Sequence, residues 1–407
     1  MRTVIFVAPY FMDATEKFIA AAASLPDVRL GLVSCDPLSK LRPEIQARLS
    51  GHYAVPGIEA HQLLHGIEML GRQFGSVDRI IGMLEQIQVT LGKIRDHLGI
   101  RGMGEHVARN FRDKPQMKDV LRAANVPCAR HCLTTDLEKG MRFAEQVGFP
   151  LVIKPPAGAG AKGTFRCENP AQLDECLRAV LPSEQNPILI EEFITGKEHS
   201  FDSVCLNGQI VWSSISDYSP GPLEVVREPW IQWCVVIPRE TDRNIYHRIL
   251  PIAQQALSAL GMQDGLTHLE WFERADGSIA VSEVGARPPG AQFTTLISYA
   301  HDFNLYRAWS EVMIFERFQP VERKYAAGAA YLRGMGKGKV VGVSGLDEIA
   351  REYGEIVVEA KVPDQGQPAS AGYEGEGYII VRHPNTDVVK QALQSIISRV
   401  RVHLSDN

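Results

Sequence analysis

No stretch of the chain is apolar for long enough to cross a membrane as a helix. The opening MRTVIFVAPY has an apolar run too short for a secretory signal core, and no small-residue cleavage site follows it. A first buried strand is expected there instead. No basic tract offsets the formal net charge of -5, which argues against a nucleic-acid partner. Cysteine is sparse. The seven residues are scattered and odd in number, and the closest pair, Cys128 and Cys132 in CARHC, fits no common zinc spacing. Reduced structural thiols in a cytoplasmic protein are expected. Internal repeats and low-complexity segments are missing. The first hundred residues carry no G-x-G-x-x-G, which argues against a dinucleotide there.

What is present is the composition of a globular chain. Hydrophobic residues make up 45% and charged residues 22% of 407 positions, enough for two or three domains. The first part alternates short apolar strands with helical patterns. Val4–Ala8 and VRLGLVSC read as strands and ATEKFIAAAASL as a helix. SVDRIIGMLE reads as helix turning into strand, and QVTLGKIRDHLGI as helix. This alternation predicts a parallel sheet in a Rossmann-like domain over residues 1–110. From Phe111 the texture changes. RDKPQMKDVLRAANVP predicts a helix with Asp113 near its N-cap and an apolar stripe of Met117, Val120, Leu121 and Ala124. A helix over DLEKGMRFAEQVG stops at Gly148. The strand Leu151–Lys154, a helix over AQLDECLRAVL and the strand ILIEEF follow. Asn207-Gly208 predicts a hairpin turn. A helix covers roughly Asp242–Leu260, a second hairpin follows, and one helix is expected from about Phe293 to Phe315. The fold class is therefore α/β: the N-terminal Rossmann-like domain, a central two-lobed α+β domain over 111–318, and a mixed α/β segment over 319–407 that ends in the helix TDVVKQALQSIISRV.

Two features carry chemistry. In VIKPPAGAGAKGTFRC a short strand delivers Lys154, and a loop rich in Gly and Ala carries a second lysine, Lys162. Such a loop lets backbone N–H groups approach phosphates, but no Gly-Lys-Ser/Thr closes it as a Walker A motif. Gly158, Gly160 and Gly163 leave it few preferred backbone states, so Ala157–Thr164 is expected to act as a mobile lid. The second feature is the hairpin THLEWFERADGSIAVSEVGARP. A two-residue turn at Asp276-Gly277 places Glu270 directly opposite Glu283, on one face with Phe272 and Val281 as an apolar floor. Two carboxylates so held want a shared proton or a cation, and oxygen donors near a phosphate loop favour Mg²⁺. The competing reading is a solvated pair on an exposed face. Arg287, just beyond, can grip a phosphoryl or carboxylate oxygen in bidentate fashion, or else cap the next helix from the surface.

In order, DKPQMKDVL, VIKPP with its loop, ILIEEFITGKE, HLEWF and SEVGARPPG resemble the ATP-grasp family. The resemblance covers about Phe111 to Phe315, with the flanking segments in the places of that family's N-terminal (pre-ATP-grasp) and C-terminal domains. It implies that Lys114 and Lys154 hold the α- and β-phosphates, and that the Ala157–Gly163 loop closes with Lys162 at its tip. It implies an adenine hinge at Glu191, Glu192, Phe193 and Ile194, with Glu198 on the ribose hydroxyls. Glu270 and Glu283 would bind Mg²⁺, with Mn²⁺ as an alternative, and Arg287 would stabilise the transferring phosphoryl group or an acyl phosphate. Two departures stand out. Gly285 replaces the usual Asn of Glu-x-Asn, which leaves one or two metal ions open, and alanines dilute the glycine loop.

Family members use ATP to turn a carboxylate into an acyl phosphate that an amine attacks. The layout, EVGARPPG above all, is similar to the branch containing amino-acid ligases. The expected activity is thus an ATP-dependent carboxylate–amine ligase acting on an amino acid or small metabolite. ATP and a small-molecule carboxylate and amine are the expected partners, a homodimer is allowed, and neither nucleic acid nor membrane is expected. The alternatives are a purine-pathway or biotin-carboxylase-like enzyme, the latter without a biotin-carrying segment here, and a nucleotide binder without ligase activity. The segment SDYSPGPLEVVREPWIQWCVVIP reads as a long loop, with Trp230 and Trp233 either walling an acceptor pocket or packing between domains.

Overall fold

The computed structural model describes residues 1–157, 163–227, 231–370, 372, and 374–405. The N-terminal part is a four-stranded parallel sheet in the order Gly51–Ala54, Val28–Ser34, Arg2–Val7, Arg79–Ile81. Parallel strands need crossovers, and the helices Asp13–Ala23 and Ala60–Phe74 supply two of them. The expected βα alternation is therefore present, with one local correction. SVDRIIGMLE does not begin as helix. The preceding helix Ala60–Phe74 ends at Gly75, whose φ of 84° turns the chain out of the helical path, and Arg79–Ile81 is then a strand.

Two antiparallel sheets follow. The smaller runs His131–Thr134, Ile188–Glu192, Leu151–Lys154, Phe165–Cys167, with the helices Leu137–Val147 and Pro170–Val180 covering its apolar side chains. The larger has eight strands in the order Ile279–Gly285, Gly265–Glu273, Lys197–Leu206, Gln209–Ser219, Cys234–Ile237, Ala326–Leu332, Gly377–His383, Val357–Lys361. The predicted Asn207-Gly208 turn joins two of these, with both residues at positive φ as a type I′ turn requires. The helix Lys114–Ala123 starts as expected: the Asp113 side chain accepts from the Gln116 N–H at 3.0 Å.

Three element expectations change. The single helix from Phe293 to Phe315 is two, Phe293–His301 and Leu305–Phe315. Asp302 adopts φ 57° at the end of the first, and Asn304 caps the second through the Arg307 N–H at 2.9 Å. The segment around Trp233 is not all loop, since it contains the short helix Pro222–Arg227. The chain does not end in a helix. After Thr386–Arg399 it forms the strand Arg401–Leu404, which pairs with Val340–Ser344.

Phe6 and Phe18 pack edge-on against Trp309, and Phe18 against Tyr306, so the N-terminal sheet shares a core with the helix Leu305–Phe315. All seven cysteines are free thiols. No helix among the described residues is long and apolar enough to cross a membrane.

Candidate active site

A cleft of about 1120 Å³ opens between the two antiparallel sheets. One wall is the end of the strand Leu151–Lys154 and the start of the helix Lys114–Ala123. The other is the hairpin Gly265–Glu273/Ile279–Gly285.

The hairpin brings Glu270 opposite Glu283, as the sequence predicts, but by a different route. The turn is not two residues long. Arg274 and Ser278 close it by a backbone hydrogen bond of 2.9 Å, with Gly277 at φ 77°. That extra residue moves the register by one, so Trp271 faces Val281 and Phe272 faces Ala280. A β-bulge between Glu270 and Trp271 leaves Ser282 without a partner and moves the register back by one. The two offsets cancel at the glutamates. They do not cancel for the predicted floor. Val281 belongs to the core on the opposite face, and Phe272 packs with Ala280, Ile194 and Ala129.

Three lysines meet these acids. The Lys114 Nζ lies 2.5 Å from Glu283 and the Lys154 Nζ 2.8 Å from Glu191. Lys118, which the sequence reading passed over, is 1% exposed; it donates to the Ser282 carbonyl at 2.9 Å and lies 3.4 Å from Glu191. Its signal was available: it follows Lys114 by four residues, one helical turn, and neighbours Met117 in the predicted stripe. Burial works against the Glu283 charge, but Lys114 and Lys154 outweigh it and hold the carboxyl at about 2. Glu191 is likewise lowered by Lys118 and Lys154 against its burial. Lys154 is raised, since Glu191 and Glu283 outweigh desolvation. Burial lowers Lys118 despite Glu191.

On the other strand, burial opposes the charge of His268, but Asp202 at 2.7 Å and Glu270 at 3.5 Å raise it to about 10. This imidazolium, also missed, sits opposite Gly285 in register. A Cβ on Gly285 would meet nothing closer than the Arg287 Cγ at 3.8 Å, so space for a longer side chain exists there.

Glu198 also lines the cleft, facing Phe272 across the strand pair. Burial and the Glu270 charge push its carboxyl well above the usual range. Of the expected hinge, Ile194 is buried against the Phe272 patch. The N–H groups of Glu192 and Phe193 are already donated to the Arg130 and Pro150 carbonyls, so these two cannot supply N–H bonds to a base. The Glu191 side chain serves the lysines. Arg287 lines the cleft and does not cap a helix: its Nε and Nη2 donate to Glu85 at 3.1 and 2.6 Å. Glu85, from the N-terminal part, thereby becomes a site residue that local sequence patterns did not reveal. Trp233 lines the cleft, 1% exposed and stacked on Tyr331. Gly163 is described at φ 67°, whereas Gly158, Gly160, Lys162 and Trp230 lie outside the described residues.

Among the described residues no cluster of three or more His, Cys, Asp and Glu side chains suits a metal. The facing pair Glu270 and Glu283 is a hard, two-oxygen donor set, open to the cleft. It fits a divalent ion that takes its remaining ligands from phosphates and water, as Mg²⁺ does.

Residues 119–301 match the family model described as "ATP-grasp domain". Among curated proteins it is similar to the L-arginine-specific L-amino acid ligase of Bacillus subtilis, 24% identical over 246 residues that make up 59% of each chain. It is also similar to the alanine–anticapsin ligase of Bacillus subtilis strain 168, 25% identical over 51% of this chain and 48% of that one. The chain thus spans about half to three-fifths of the length of these two relatives. Among solved structures, the fold superposes on an L-amino acid ligase from Bacillus licheniformis with a TM-score of 0.80 at 18% identity, covering 100% of this chain and 99% of that one. An N5-carboxyaminoimidazole ribonucleotide synthetase from Thermotoga maritima superposes at 0.72, also at 18% identity, covering 100% of both chains.

Proposed function

We propose that the chain is an ATP-dependent carboxylate–amine ligase whose carboxylate substrate is an amino acid or similar small metabolite. The observation that carries this reading is the cleft itself, in which three lysines and Arg287 face a pair of opposed glutamates. The lysines offer positive charge to a polyphosphate, with Lys114 and Lys154 on its α- and β-phosphates. Phe272, Ile194 and Ala129, which line the cleft as one apolar patch, support an adenine seat there, and Glu198 in the same cleft would take the ribose hydroxyls. Glu270 and Glu283 would hold Mg²⁺, which when bound neutralises charge on the phosphates. An oxygen of the substrate carboxylate attacks the γ-phosphorus, the bond to ADP breaks, and an acyl phosphate forms. The amine nitrogen then attacks the acyl carbon, phosphate leaves, and the amine proton passes to solvent. Arg287, held by Glu85, would meet charge on the transferring group. The L-amino acid ligases among the relatives support an amino acid as substrate.

The test is ADP release by the full chain with Mg²⁺ and each amino acid, alone and in pairs. Turnover should appear with particular pairs and fall by at least about 10³-fold in Glu270→Gln and Glu283→Gln. Nucleotide affinity without turnover for any carboxylate would overturn the reading in favour of a binder.

A further inference from the structure

A second cavity, of about 290 Å³, shares no lining residue with the large cleft. At its wall lies Arg323. The guanidinium donates through Nη1 to the Pro238 carbonyl, through Nη2 to the Ser214 hydroxyl at 2.7 Å, and through Nε to the His301 ring at 3.4 Å. A guanidinium has five N–H donors, so two make no hydrogen bond among the described residues. Among the described residues no carboxylate stands within ion-pair distance of it. Arg95 also lacks a carboxylate, but it is sealed against the Ile80 and Met103 carbonyls, whereas Arg323 lines a cavity.

Burial lowers Arg323 only to about 10, so it stays charged at neutral pH. His301 cannot share or offset that charge, because burial and then Arg323 push it down to about 3 and leave it neutral. Tyr246, Asp217, Asp202 and Glu240 favour that charge only from beyond ion-pair distance, so the spare Arg323 N–H donors stay without an acceptor, and an anion entering the cavity would supply one. The remaining walls say which anion. Trp212 and Leu250 give apolar surface, and Leu250 is 44% exposed although large and aliphatic. Ser213 and Thr241 add hydroxyl groups. One guanidinium with two spare donors matches a carboxylate fork, and a phosphate dianion would call for more charge. The volume suits a molecule of amino-acid size and excludes a nucleotide.

We infer that the cavity beside Arg323 binds a small organic carboxylate with an apolar body, at a site separate from the nucleotide cleft. The experiment measures binding by the full chain of benzoate, and of inorganic phosphate at matched ionic strength, by calorimetric titration and thermal melting. Benzoate should bind saturably, with phosphate at least ten-fold weaker. Arg323→Gln should weaken benzoate at least ten-fold. Leu250→Trp, which fills the mouth and leaves the Arg323 bonds intact, should do the same. If Arg323→Gln fails to melt cooperatively, Leu250→Trp alone decides. No benzoate binding, equal phosphate binding, or benzoate affinity unchanged in the folded variants would overturn the inference. The readout is binding, so the result stands apart from whether the chain turns over ATP.

Discussion

At Glu198 burial and the charge of Glu270 act in the same direction, and both favour the protonated acid. At Glu283 the lysines reverse the effect of burial and favour the carboxylate. Linkage turns these opposite shifts into opposite pH dependences. A raised folded-state value means that the Glu198 contribution to stability is full below the unfolded value of 4.5 and is lost as pH rises through the raised one. The depressed value of Glu283 means that its contribution is present above 4.5 and is lost as pH falls through about 2. Glu198→Gln should therefore raise the melting temperature of the nucleotide-free protein at pH 8, on the order of 1 kcal/mol or roughly 2–4 °C, with little change at pH 4. The same variant should bind ATP more weakly, because the acid whose charge the cleft disfavours is the one we propose for the ribose. Calorimetry at the two pH values is the check. An equal shift at both would mean that the Glu198 charge is not the cause.

The hairpin shows what a sequence can and cannot disclose about an element. The pairing of Glu270 with Glu283 was legible from their distance to Asp276-Gly277, although both the turn length and the regularity of the strand were misjudged. Each misjudgement moves the register by one residue, in opposite senses, so the acids meet and the floor residue changes from Val281 to Ala280. Local pattern does not announce a bulge, because the contacts made there come from elsewhere in the fold: the buried Lys118 side chain donates to the carbonyl of the unpaired Ser282. Caps and turns such as Asp113, Gly148 and Asn207-Gly208 were legible for the converse reason, that their chemistry is local. Contacts made over long sequence separations, such as Glu85 with Arg287 and His268 with Asp202, were not. Lys118→Met keeps the apolar stem and removes the donor. It should cost at least about 1–3 kcal/mol, the penalty for a buried carbonyl left without a partner, because the buried Glu191 loses a nearby cation as well. Urea unfolding reads this directly, and an unchanged midpoint would mean that the bulge holds without Lys118.

On the scale of the molecule, the large sheet runs without a break from the hairpin of the two glutamates to strands near the end of the sequence. The residues matched to the ATP-grasp domain stop at 301, yet Ala326–Leu332 pairs on one side with Cys234–Ile237 and on the other with Gly377–His383. All seven of its residues are buried, as are all four of Cys234–Ile237. The helix Thr386–Arg399 packs its Val389, Ala392, Leu393 and Ile396 onto the same layer. A boundary at 318/319, natural in sequence, thus cuts a continuous hydrogen-bonded sheet. Removing residues 319–407 would leave Cys234–Ile237 as an unpaired apolar edge and strip the core beside it, and such an edge invites association with other chains. The prediction is that a chain of residues 1–318 aggregates on expression, or melts without a single cooperative transition, even though it retains Lys114, Lys154, Glu270, Glu283 and Arg287. Solubility, a melting curve and ATP titration of that truncated chain decide the matter. A soluble, cooperatively melting 1–318 that binds ATP as tightly as the full chain would show that the last three strands of the sheet are dispensable and that the cleft is held by its two walls alone.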